Sequence, residues 1–184
     1  MKITVIRSNR KTVSISVKED CSVVVKASLF ITQKQIEKIL EDKKKWIAER
    51  ILKMKEFSND VPTLTIEEIR ALSDQALKVI PKRVEFYAKL LGVTYNHITI
   101  RCQKTKWGSC SSKGNLNFNC LLMLTPPEVI DSIVVHELSH LKYMNHSKEF
   151  YEEVLRIYPD YHKWSKWIKD NGSRIMYRRP RTFS

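Results

Sequence analysis

Val134-Val135-His136-Glu137-Leu138-Ser139-His140-Leu141 places two histidines four residues apart, with a glutamate directly after the first, inside an apolar run that begins at Ile133. This is an HExxH pattern in helix-forming sequence. Four residues advance a helix by about 400°, so His136 and His140 project within about 40° of each other, about 6 Å apart along the axis. Two imidazoles so placed can grip one ion. Glu137 sits beside the same face, close enough to take a proton from a water on the ion and poorly placed to be a ligand itself. The chemistry expected is hydrolysis by one catalytic Zn2+, with Glu137 as the general base. A structural zinc is disfavoured, because closed sites favour cysteine and have no use for an adjacent glutamate.

A catalytic zinc takes three protein ligands and keeps a fourth position for water or substrate. His146 is the expected third ligand. On an unbroken helix, six residues from His140 would rotate it by about 600° and point it away, so the helix has to end first. A left-handed turn at Asn145, with Ser147 capping the next helix, would swing His146 back. The competing ligand is a carboxylate on that following helix, Glu149, Glu152 or Glu153. His97 and His162 read as surface or packing residues, and Trp164 and Trp167, at helical spacing with Ile168, as core.

Upstream of this segment, Pro126-Pro127 starts the metal-binding helix, which runs through Val135 and His140. Ile98-Thr99-Ile100 and Leu116-Asn117-Phe118 read as short strands, separated by a polar loop that holds Lys104, Trp107, Gly108, Ser109 and Cys110. Thr65 opens a helix to about Leu91 with a stripe of Ile69, Leu72, Ala76, Ile80 and Val84, Pro81 as a kink point and Gly92 as its stop. Ser58-Asn59-Asp60-Val61-Pro62 reads as a breaker that divides the chain into residues 1–60 and 61–184. The first part alternates apolar and polar residues over Thr12 to Val17 and is β-rich over Ser22 to Val25, with the polar break Lys18-Glu19-Asp20 between, a β-hairpin or meander. One long amphipathic helix then follows from Thr32, with Ile36, Leu40, Ile47 and Ile51 on its apolar face and Trp46 beside them. Ser147 and Asp160 stand as N-caps of two further helices before a basic tail, Arg174 to Arg181. The class expected is α+β.

At 184 residues, 42% hydrophobic and 29% charged, the chain is an ordinary globular protein, not a disordered or disulfide-dense one. No apolar run is long enough to span a bilayer and no secretory signal opens the chain, which predicts a cytoplasmic protein without a membrane partner. Cys21, Cys102, Cys110 and Cys120 lack CxxC pairing and read as free thiols. The net charge of +13 favours anionic partners, and nucleic acid on the basic surface is one such partner.

With these residues in hand, the chain resembles the YgjP-like zinc metallopeptidases, relatives of the SprT-like and WLM proteins. The resemblance runs from the N-terminal hairpin and the Trp46 helix through Lys106-Trp107-Gly108-Ser109-Cys110-Ser111, Asn115-Leu116-Asn117-Phe118-Asn119 and Pro126-Pro127-Glu128 to His136–Phe150. It implies a minimal zincin-like core of helices and a small antiparallel sheet in residues 61–184. It also implies His136, His140 and His146 as metal ligands and Glu137 as the catalytic residue. The family often has Phe-Trp where this chain has Phe150-Tyr151. A peptide or protein substrate would lie along an edge strand near Asn115, Asn117 and Asn119 by β-augmentation. A nucleoside triphosphate pyrophosphatase is the alternative enzyme, with Arg101, Lys104 and Lys106 holding phosphates, although no glycine-rich phosphate loop is present. A nucleic-acid-associated module is the third reading.

Overall fold

The computed structural model describes residues 2–18 and 20–180. Glu19 of the polar break and Arg181 of the basic run lie outside the described residues. The chain divides into two compact units, Met1–Pro62 and Thr63–Ser184.

In the first unit, strands β1 (Ile3–Ser8), β2 (Ser14–Val17) and β3 (Val23–Ser28) form a sheet of order β1-β3-β2. The expected hairpin is β2–β3, antiparallel from Ser14 opposite Lys26 to Val17 opposite Val23. It turns through Cys21, which takes a left-handed φ of 61°. The sheet is not a meander, because β1 crosses to the far side of β3 and pairs with it in parallel. That puts β3 in the centre, where Val23, Val25 and Ala27 project at the strand period of two into a core closed by Ile36 and Ile47. The helix expected to be single is two, α1 (Gln33–Asp42) and α2 (Lys44–Asp60), separated at Lys43. Lys43 closes α1 by donating its N–H to Ile39 and Glu41 carbonyls, and the bend lets one apolar stripe serve the same small core from both helices. The expected breaker begins late: Ser58-Asn59-Asp60 stay helical, and the chain leaves the helix at Val61.

The second unit begins with α3 (Ile66–Leu91), opened by a capping box in which Thr65 and Glu68 satisfy each other's backbone N–H groups. It closes at Gly92, whose φ of 66° requires a residue without a Cβ penalty. The helix runs on across Pro81. Ile69, Ala76, Ile80, Val84, Ala88 and Leu91 are its buried face. They pack against Leu116, Phe118, a 3-10 turn over Cys120–Leu124, and Ile130, Val134 and Leu138 of α4 (Pro127–Ser139). Pro127 occupies the first turn of α4, where its missing N–H costs nothing. Helices α5 (Lys148–Ile157) and α6 (Tyr161–Tyr177) complete the unit. Ser147 caps α5 by accepting from the Phe150 N–H, whereas Asp160 holds the N-cap position of α6 without a side-chain bond.

The second sheet is β4 (Ile98–Arg101), β5 (Gly108–Cys110) and β6 (Leu116–Asn119) in the order β4-β6-β5. It is mixed rather than antiparallel, with β4 parallel and β5 antiparallel to β6. β5 lies in the segment read as polar loop, because three residues of small and polar character carry no alternation signal. Asn115 to Asn119 is therefore not an edge. β6 is central, and β4 and β5 are the edges. The fold is α+β, and among the described residues no helix is long and apolar enough to cross a membrane.

Candidate metal centre

The last turn of α4 carries His136, Glu137 and, at the C-cap, His140. The helix stops there through tight bonds, Leu141 N–H to Leu138 O at 3.0 Å and Lys142 N–H to Ser139 O at 3.1 Å. Asn145 is not left-handed as expected, since Cys21 is the one non-glycine residue with positive φ among those described. The reversal instead begins directly after His140. It returns His146 to the other two histidines, so that one ligand atom from each lies within 4.8 Å of the rest. His136 Nε2 and His146 Nε2 are 3.1 Å apart.

The outward nitrogens fix which atoms face the centre. His140 Nδ1 lies 3.0 Å from the carbonyl oxygen of Tyr143. A carbonyl only accepts, so Nδ1 carries the proton and Nε2 the lone pair. His136 Nδ1 lies 2.9 Å from the Tyr161 hydroxyl. Beneath all three rings sits the fully buried Phe150, with centroids 5.0, 4.7 and 4.9 Å from those of His136, His140 and His146. Burial, followed by the neighbouring His140 and His146, pushes His136 down to about 4, and burial lowers His140 as well. Neutral imidazoles are the form that binds a metal.

Glu137 is 6% exposed, and burial pushes its carboxyl up to about 7 against the opposing pull of Lys106 and the Cys110 backbone N–H. The strand β5 lies directly on it, and a Cβ on Gly108 would come within 2.7 Å of Glu137 Cγ and Oε1. Gly108, Phe150 and Tyr161 were not legible as site residues. Gly108 and Phe150 stand in sequence motifs, but nothing in their spacing points to these contacts, and Tyr161 is 25 residues from the histidine it touches.

The rival carboxylates are engaged elsewhere. Glu153 pairs with Lys142 and Arg156, Glu152 with Lys148, and Glu149 with Ser147. His97 is exposed and outside the histidine group. His162 is also exposed, its ring 5.7 Å from that of Tyr161 and 6.5 Å from that of Tyr151. Tyr151, in place of the family's tryptophan, stacks 6.1 Å from His146. Cys102 and Cys120 lie close enough to act on each other's thiols, and Cys110 neighbours Glu137.

Of the residues expected to touch substrate, Lys106 is exposed and close enough to Glu137 to act on its charge. Arg101 and Lys104 are exposed on and after β4. Asn117 donates to Ser109 Oγ across β6–β5 at 3.3 Å, and the Asn115 N–H donates to Ser111 Oγ at 3.1 Å. Asn119 is corrected to a structural role. It is fully buried, donates to the Gln103 and Lys106 carbonyls at 2.9 Å each, and accepts from Leu121 N–H. Its amide thus clamps the loop that leads into β5.

A tetrahedral zinc with nitrogen ligands at 2.0–2.1 Å holds them about 3.3 Å from one another. Three imidazoles that each bring a ring nitrogen within 4.8 Å of the others offer that donor set.

The sequence model of the YgjP-like family, described as "YgjP-like, metallopeptidase domain", matches residues 65–171. The chain belongs to the YgjP-like family. In this YgjP-like chain the match opens at the Thr65 capping box and ends inside α6, so it takes in both sheet and metal centre. At the family level it is a metallopeptidase domain, a hydrolase that works with a metal ion. No curated protein matches the chain. Among solved structures it is similar to the metallopeptidase zymogen of Pyrococcus abyssi abylysin, at 24% identity and a TM-score of 0.45, over 50% of this chain and 94% of that one. It is similar also to the metallopeptidase zymogen of Methanocaldococcus jannaschii jannalysin, at 26% identity and a TM-score of 0.45, over 50% of this chain and 95% of that one.

Proposed function

We propose that the chain is a zinc-dependent peptidase in which His136, His140 and His146 hold one ion through Nε2 and Glu137 is the general base. The observation that carries this reading is the convergence of three imidazoles on one point, with a buried carboxyl on the same helical turn as the first. A bound zinc ion lowers the pKa of water in its open position and polarises a carbonyl. Glu137 takes the proton of the attacking water and passes it to the leaving amine. The Cys110 N–H and the bare Cα of Gly108 hold its carboxyl in place while it does so.

A peptide is the substrate the sheet favours. Ser109 is paired with Asn117, and the Trp107 carbonyl and Ser111 N–H also bond toward β6. The alternation of an antiparallel ladder therefore turns the backbone groups of Gly108 and Cys110 outward, to the side where Cys110 meets Glu137. An extended chain added along this edge would run past the base, which moves the docking strand from β6 to β5. Lys106, at the entry to β5, would meet a carboxylate or carbonyl of such a chain.

The test is Glu137→Gln beside His136→Ala. Glu137→Gln should keep stoichiometric zinc and lose about 10²–10⁴-fold in peptide turnover, while His136→Ala should lose the metal. Undiminished cleavage by the Glu137→Gln protein would remove Glu137 from the mechanism. One zinc-loaded preparation, offered a peptide library and a panel of nucleoside triphosphates, separates peptide from phosphoanhydride hydrolysis.

A further inference from the structure

Each of the two helical histidines has a partner on the nitrogen that faces away from the centre. For His140 that partner is the backbone carbonyl of Tyr143, beyond the reach of substitution. For His136 it is a side chain from a different helix, the hydroxyl of Tyr161 at the start of α6. We propose that Tyr161 is the positioning residue of the metal centre, setting the tautomer and ring orientation of His136 through its hydroxyl. This inference rests on the zinc reading above.

The ring of Tyr161 lies nearly parallel to that of His136, at 12° between planes and 6.0 Å between centroids, and the residue is 7% exposed. Ser165, one turn along α6, lies close enough to the same hydroxyl to act on it. If Nε2 of His136 faces the ion, Nδ1 keeps the proton and donates it to the Tyr161 oxygen. The joint between His136 and Tyr161 thus has one donor and one acceptor. It reproduces, with a neutral phenol, the arrangement in which an outer acceptor fixes a ligating imidazole. A buried hydroxyl in this place has no bulk water to replace it. Without it, His136 is free to rotate or to present Nδ1, and the three nitrogens lose their common focus. α6 thereby becomes part of the metal site although it supplies no ligand.

The test is Tyr161→Phe, which keeps the ring and removes the oxygen. Metal-free melting, the zinc dissociation constant by competition with a chromophoric chelator, and the nitrogen resonances of 15N-labelled histidine are measured on the full chain. The melting midpoint should stay near that of the unsubstituted protein, while zinc binding weakens about 10–100-fold. In the unsubstituted, zinc-loaded protein His136 should show a protonated Nδ1 in slow exchange with water, a signature that needs no variant to fold. An unchanged zinc constant in Tyr161→Phe, or coordination of His136 through Nδ1, overturns the inference alone. An unsubstituted chain that takes up no zinc overturns the metal reading and this inference with it.

Discussion

A Cβ at Gly108 would lie 2.7 Å from both Cγ and Oε1 of Glu137, closer than side-chain atoms approach in folded proteins. The strand and the carboxyl thus share one volume, and glycine is what lets them do so. Gly108→Ala must displace the Glu137 carboxyl or the edge of β5. None of the three histidines is among the atoms such a Cβ would meet first. The expected outcome is retained stoichiometric zinc with peptide turnover reduced at least about 10-fold, less than the about 10²–10⁴-fold that a general base supplies. Equal turnover by Gly108→Ala and the unsubstituted protein would show that the close approach is irrelevant to the chemistry.

Phe150 supports all three imidazoles from below and has no exposed surface, so it links core stability to site geometry. It packs with Val135, Val154 and Tyr161 between α4, α5 and α6. Phe150→Ala should cost about 3–5 kcal/mol in urea unfolding of the metal-free protein, the usual range for a fully buried phenylalanine. Tyr151→Ala, one residue on and only half-buried, should cost markedly less. Similar losses in the two variants would mean that the pocket collapses around the missing Phe150 ring and that the ring is no strut.

Much of this site was legible because it is local. The HExxH spacing needs only a helix, and the apolar stripe and caps from Thr65 to Gly92 announce one without tertiary information. The requirement that α4 end before His146 also follows from angles alone. The means of ending it does not: tight bonds after His140 replace a left-handed Asn145, and the choice depends on where Tyr143 and Lys142 find partners. Strand order is likewise nonlocal. The family resemblance implies an edge near Asn115 to Asn119, yet that strand is central, with its alternate residues Leu116 and Phe118 buried and Asn119 spent on clamping a loop. The three-residue β5 is held by its pairing with β6, which no local pattern announces.

His146 is exposed, in contrast to the buried Glu137, and this separates its proposed metal role from any role in folding. His146→Ala should leave metal-free stability within about 0.5 kcal/mol, as at other surface positions. Zinc binding should fall by more than the about 10–100-fold that an outer-shell partner contributes. Glu149→Gln, which tests the rival carboxylate ligand, should leave the zinc constant unchanged. Zinc titration of both variants decides between them, and the reverse ranking would transfer the third ligand to α5.

Lys142 lies in the turn between His140 and His146, and its Nζ is 2.6 Å from Glu153 Oε1 on α5. Arg156 holds the same carboxylate through Nε at 2.8 Å and a second nitrogen at 2.9 Å. The hydrogen bond from Arg156, assisted by Lys142, takes Glu153 from an ordinary 4.5 down to about 2. A depressed carboxyl pKa stabilises the folded state fully above the unfolded value, and that stabilisation is lost as pH falls through the folded one. Glu153→Gln should therefore cost on the order of 1 kcal/mol at pH 7, because both cations are partly solvated. The gap to the unsubstituted protein should close between about pH 4.5 and pH 2. Histidine protonation affects both proteins alike and cancels in the difference, so urea midpoints of the metal-free pair across this range isolate Glu153. A gap of constant size from pH 7 to pH 2 would mean that the amide disturbs packing on α5, and that the ion pairs do not tether the turn that presents His146.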